Sequence, residues 1–153
     1  MRAGLVAIAG LSSLLLAGCT AAPSGPQQIE VTYADASGGA QSTQAVEIAT
    51  AECQFSDLLS SMGLSTEDFA VPDQGLPDFN ATIFGKDAAD STYVFMIRLS
   101  DDVYFASTAP FELSEDDGLK VVDLPGIVSV FEDGQAVENL DSAATLTATL
   151  QCQ

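Results

Sequence analysis

The residue types that could carry chemistry in this chain are few, and what is missing narrows them further. There is no histidine. That removes Ser-His-Asp and Cys-His arrangements, imidazole metal ligands and imidazole acid–base work near neutral pH. No glycine-rich phosphate loop is present. What remains is 22 carboxylates and three cysteines. Adjacent acids such as Asp101 with Asp102, or Glu115 with Asp116, could serve as acid and base on a glycosidic bond. They fall in segments that read as turns, however, and the chain has no tryptophan to form a sugar platform. The same acids could offer oxygens to Ca²⁺, yet the Asp-x-Asp-x-Asp-Gly loop spacing is absent. Solvated turns are the simpler reading. The expectation is a protein that is not an enzyme, with no catalytic residue, metal ligand or cofactor.

The cysteines are more informative. Cys19 ends a three-part stretch: Met1 and Arg2 bring one positive charge, Ala3 to Leu15 form an apolar run, and Leu16-Ala17-Gly18 precede the cysteine. That is the layout of a secretory signal. The run is too short to cross a hydrocarbon core, which takes ~20 apolar residues. Leu16-Ala17-Gly18-Cys19 looks like a bacterial lipobox, so residues 1–18 are expected to be a lipoprotein signal peptide and Cys19 the lipid attachment point. An ordinary signal followed by a free thiol is the alternative. Stable anchoring takes two acyl chains, and the diacylglyceryl thioether that a lipobox implies supplies them.

With Cys19 committed to lipid, Cys53 and Cys152 are left in an oxidising compartment, where a disulfide is the economical reading. Two buried free thiols are the alternative. A redox pair is disfavoured, because no Cys-x-x-Cys spacing or nearby basic group would lower a thiol pKa. The formal net charge is −18; loss of Arg2 leaves Lys86, Arg98 and Lys120 against 22 acids, or −19. Such a chain has no basic patch for nucleic acid, and anionic head groups should repel it.

The elements that must position these residues follow from periodicity. Residues 19–28, with Pro23, Ser24, Gly25 and Pro26, read as a lipidated tether. Residues 29–153 are long enough for a single domain. Ile29, Val31 and Tyr33 alternate with Glu30 and Thr32 as a half-buried strand does, and a second strand is expected from Ala45 to Cys53. Ser56 to Gly63 suits a short helical turn, with Ser56 as cap and Gly63 as stop. A further turn around Ser65 to Phe69 could complete a helical excursion after the second strand. Short β-prone runs follow over Ala81–Gly85, Thr92–Leu99, Val103–Ser107, Leu119–Leu124, Ile127–Phe131 and Ala143–Cys152. They are parted by turn signals that include Pro125-Gly126 and Glu132-Asp133-Gly134. Thr92 to Leu99 has little polar alternation and reads as the most buried strand. In the last run Cys152 shares a face with Leu146 and Leu150, pointing its sulfur at the core. The fold class expected is mainly β: an antiparallel β-sandwich or partly closed barrel with the short helical excursion.

This order of lipobox cysteine, short tether, strand and turn, strand ending in Cys53, β-rich body and terminal Leu150-Gln151-Cys152-Gln153 resembles the LpqH-type lipoprotein antigens of mycobacteria and related actinobacteria. Glu115-Asp116-Asp117-Gly118-Leu119-Lys120, a turn leading into a strand, adds to the likeness. The resemblance implies a surface-exposed antigen on the extracytoplasmic face of the cell membrane, with a similar pair of cysteines bracketing its domain. This chain departs from the family in its short tether, where Thr20 and Ser24 are the only hydroxyl residues. Two functions follow as expectations. One is a non-enzymatic interaction module, held to the membrane through the covalent lipid on Cys19. The other is a carrier of a lipid or other apolar ligand, with a pocket lined by Phe55, Leu58, Met62 and Phe95 under a lid formed by residues 54–79. Beyond the membrane, the expected partner is a lipid or a protein, and not nucleic acid.

Overall fold

Alternation of apolar and polar side chains decides which face of each strand is buried, and the backbone follows. The computed structural model describes residues 27–34, 39–48, 50–64, 76–85 and 90–153. They form ten strands: β1 Gln27–Tyr33, β2 Ser42–Ile48, β3 Glu52–Phe55, β4 Leu59–Gly63, β5 Phe79–Phe84, β6 Thr92–Ser100, β7 Val103–Ser107, β8 Leu113–Ser114, β9 Gly118–Glu132 and β10 Gln135–Leu150. All pairings are antiparallel. Nine strands run in the order β2-β1-β10-β9-β7-β6-β5-β4-β3, and β8 pairs with β9 off this path. A single sheet curled into a half-barrel is therefore present, rather than the two stacked sheets of a sandwich.

Chain connectivity enforces the curl. β2 and β3 stand at opposite ends of the strand order, yet only residues 49–51 separate them. Four Cα steps span at most ~14 Å, so the two ends of the sheet must come together. Residues 42–55 act as one path that pairs with β1 in its first part and with β4 in its second. The single strand expected from Ala45 to Cys53 is thus two strands, broken where it passes from one side of the sheet to the other.

The curvature itself is concentrated in the β9–β10 hairpin. Its register slips at four places. Three add a residue to β10, and the fourth sets both Val122 and Asp123 of β9 against Thr147. Extra residues of this kind bend a strand and tighten its right-handed twist. Asp123 takes a φ of 50° there, and its N–H is met by the Thr147 hydroxyl at 3.1 Å. Pro125-Gly126, expected as a turn, lies inside β9. The Pro125 carbonyl accepts from Thr108 N–H at 2.9 Å, so its missing donor faces the same way, just past the last β7–β9 pair at Ser107 and Gly126. A proline costs no ladder bond at such a place.

No helix occurs among the described residues. The helical turn expected over Ser56–Gly63 is a β-hairpin instead: Ser56 N–H bonds the Leu59 carbonyl at 2.8 Å, and β4 then pairs on both sides, with β3 and β5. Cross-strand pairing and burial of Met62 outweigh a weak local helix preference. The second turn expected near Ser65–Phe69 lies outside the described residues. β6 also differs from its reading. Phe95, Ile97 and Leu99 are buried while Thr92, Val94 and Ser100 are exposed, so only one of its faces enters the core.

The concave side is filled by rings. Phe95 meets Phe79, Phe105 and Phe111 edge to face, at centroid distances of 5.6, 6.1 and 5.6 Å. Tyr93 caps the group against Phe111 at 5.8 Å. Ile29 and Val31 of β1, with Ala144, Leu146, Ala148 and Leu150 of β10, close the other wall.

Candidate functional site

The start of β1 lies beside a covalent lock. Cys53, at the start of β3, is disulfide-bonded to Cys152, just beyond β10, with Cα atoms 5.5 Å apart. Both cysteines pack against the core, as the shared face with Leu146 and Leu150 predicts. Gln153 N–H donates to the Ala51 carbonyl at 3.0 Å. Gln27, the first residue of β1, donates through its amide to the Gln151 carbonyl at 3.3 Å and accepts from Gln151 N–H. Gln27 is therefore held at the end of β10, one residue from the disulfide. The strand begins two residues earlier than the sequence suggests, because Gln27 and Gln28 pair with Ile48 and Glu47 of β2. Cys19 and residues 1–26 as a whole lie outside the described residues.

A second tie lies at the other side of the curl. Gln44 of β2 faces inward beside Val31; its amide donates to the Leu99 carbonyl of β6 at 2.5 Å and accepts from the Tyr33 hydroxyl at 3.2 Å. Nearby on the convex face, Arg98 donates to the Tyr104 hydroxyl at 2.7 Å, lies 5.3 Å from the centre of that ring and pairs with Asp78 at 3.0 Å. Burial works against its charge. The Tyr104 hydrogen bond and the carboxylates of Asp78 and Asp101 outweigh that, leaving its pKa raised. An arginine already charged at every ordinary pH gains no proton chemistry from this, so the cluster is a structural rivet.

The residues with catalytic or ligand-holding potential are not gathered. Asp101 and Asp102 occupy the turn between β6 and β7, Glu115 and Asp116 the turn between β8 and β9, and all four are exposed. No group of three or more His, Cys, Asp or Glu that could hold a metal ion occurs among the described residues. The four residues expected to line a pocket are divided. Met62 and Phe95 are in the packed core, and Phe55 is partly buried against it. Leu58 is 75% exposed, on the surface rather than in the interior.

Exposed apolar side chains on the convex face are the feature missed in the sequence. Phe84 is 49% and Val94 39% exposed, and both lie toward the β3–β4 turn that carries Leu58. Counting outward from Arg98 in steps of two gives Met96, Val94 and Thr92. The signal was present in the period, but it was masked by the apolar character of both faces. Comparison with protein-family models, curated proteins and solved structures finds no match to this chain.

Proposed function

We propose that this chain is an exported lipoprotein of the LpqH type, whose mature form begins at Cys19 and displays a non-enzymatic interaction domain on the extracytoplasmic face of the membrane. The observation that carries this reading is Leu16-Ala17-Gly18-Cys19 at the end of an apolar run behind Arg2. Two structural facts support it. The Cys53–Cys152 disulfide suits an oxidising compartment outside the cytoplasm, and β1 begins at Gln27, so a short tether leads from the lipid straight into the sheet. The finer reading of a surface antigen rests on the same lipidated terminus. A carrier with an internal apolar ligand is the weaker alternative, because Phe79, Phe95, Phe105 and Phe111 occupy the concave side.

With a mature charge of −19 the domain has no electrostatic route to an anionic bilayer. The covalent lipid is then the anchor without which the domain leaves the membrane. In the producing cell, the Cys19→Ala precursor is expected to leave the membrane fraction for the soluble one, while the parent protein stays membrane-bound through high-salt washes. Retention of the substituted protein on washed membranes would overturn the reading.

A further inference from the structure

The convex face of β5 and β6 carries two exposed apolar side chains at its end nearest the β3–β4 turn, and that turn carries a third. Leu58 is 75%, Phe84 49% and Val94 39% exposed. Phe84 stands opposite Leu59 on one side and Thr92 on the other, while Val94 stands opposite Thr82. Phe84 and Val94 are thus diagonal neighbours on one face, about 7–8 Å apart in such a ladder. The turn bearing Leu58 is fastened beside them, because the Leu58 carbonyl accepts from Gly85 N–H at 2.9 Å.

We infer that this patch is a second contact of the domain with the lipid surface that holds Cys19, its side chains entering the interfacial layer of a neutral membrane. This rests on the anchored reading above and adds a preferred orientation to it. The occupant is argued from the tether. Seven residues lie between Cys19 and Gln27, eight Cα steps with a reach of at most ~28 Å. From Gln27 the path runs through its hydrogen bonds to Gln151, then Cys152, then the disulfide to Cys53, which precedes Leu58 by five residues. That path is about 30 Å long when every step is fully extended. The patch therefore cannot stray more than about 60 Å from the anchor, and a contact too weak to hold alone is favoured by the high local concentration that tethering creates. Charge selects the kind of surface. Asp57 adjoins Leu58 and the mature domain is at −19, so anionic head groups are repelled and the attraction is the apolar one alone.

The chain has no tryptophan, so Leu58→Trp gives a single reporter at an exposed turn. Val137→Trp is the control: Val137 is 54% exposed but sits near the far tip of the β9–β10 hairpin, among Glu132, Asp133 and Glu138. The lipidated proteins are reconstituted into phosphatidylcholine vesicles with brominated acyl chains, floated, and read by fluorescence. The expected result is that both float, that the Leu58→Trp emission is blue-shifted and quenched at least twofold, and that the Val137→Trp emission is not. If both float and are quenched alike or not at all, the patch contact is wrong while the anchor stands. If neither floats, the anchored reading fails and takes the patch contact with it. A blue shift of the Leu58→Trp protein that needs no vesicles and grows with protein concentration assigns the patch to a second copy, and also overturns the proposal.

Discussion

Glycine at position 126 is fixed by a neighbour across the sheet rather than by backbone conformation. A Cβ there would lie 2.3 Å from Cζ of Phe105 and 2.5 Å from the Ala106 carbonyl oxygen. The Phe105 ring is fully buried and already packs against Phe95, so it cannot swing aside. Gly126→Ala is expected to destabilise the domain by about 1–3 kcal/mol, the usual range for overpacking, read as a lower urea midpoint. Combined with Phe105→Leu, the two changes should cost less than the sum of their separate effects, because the smaller side chain makes room for the methyl group. Strict additivity would mean that the ring contact is not the cause. Gly134 contrasts with this: it has a φ of 76° and nothing within 4 Å of a built Cβ, so it is chosen for conformation. With Asp133 at φ 50° it makes the two-residue Asp-Gly turn that suits the twist of a hairpin, which is why Glu132-Asp133-Gly134 was legible from residues alone.

Among the elements, β2 and β10 show what local pattern can and cannot carry. The end of β10 alternates cleanly, with Leu146, Ala148 and Leu150 buried and Thr149 exposed, and it was readable. Its first half was not, because each inserted residue resets the in-out alternation and three insertions fall between Ala136 and Ala144. A period-two search cannot see a strand whose period is repeatedly broken. β2 is an end strand whose inward Gln44 ties it to β6 across the opening of the curl. Gln44→Ala is expected to cost about 1 kcal/mol, the net worth of an ordinary hydrogen bond. It should also raise amide exchange in β2 and at the end of β6, while the β9–β10 hairpin is unchanged. Uniform exchange across the sheet would show that Gln44 does not act as a clasp.

On the scale of the whole molecule, the sheet is closed by chain connectivity and by a covalent bond at nearly the same place. The short link over residues 49–51 brings the ends of the strand order together, and Cys53–Cys152 fixes β3 to the end of β10 with a sequence separation of 99. In the chain-entropy account a loop of about 100 residues constrains the unfolded chain by ~4.7 kcal/mol, and measured losses are more often ~2–4 kcal/mol. Reduction of the bond, or replacement of both cysteines by serine, is therefore expected to lower unfolding free energy by about 2–4 kcal/mol without removing the β-sheet signal in circular dichroism. A change below about 0.5 kcal/mol would mean that the unfolded chain is already confined.

What the sequence determined by itself was local or compositional. Cys19 and its flanks, the absence of imidazole, the acidic surface, the β-rich class and the inward aim of Cys152 all follow from residue types at short spacing. The tertiary structure decided the rest. It replaced a helical turn by β4, because Met62 and its neighbours gain two ladder partners that no sequence window contains. It carried Pro125 through a long bent strand, because β7 ends where the proline donor is missing. It also left Phe84 and Val94 exposed on the outer face, because Ile83 of β5 and Phe95 of β6 take the inside, and it set Leu58 in the turn between β3 and β4.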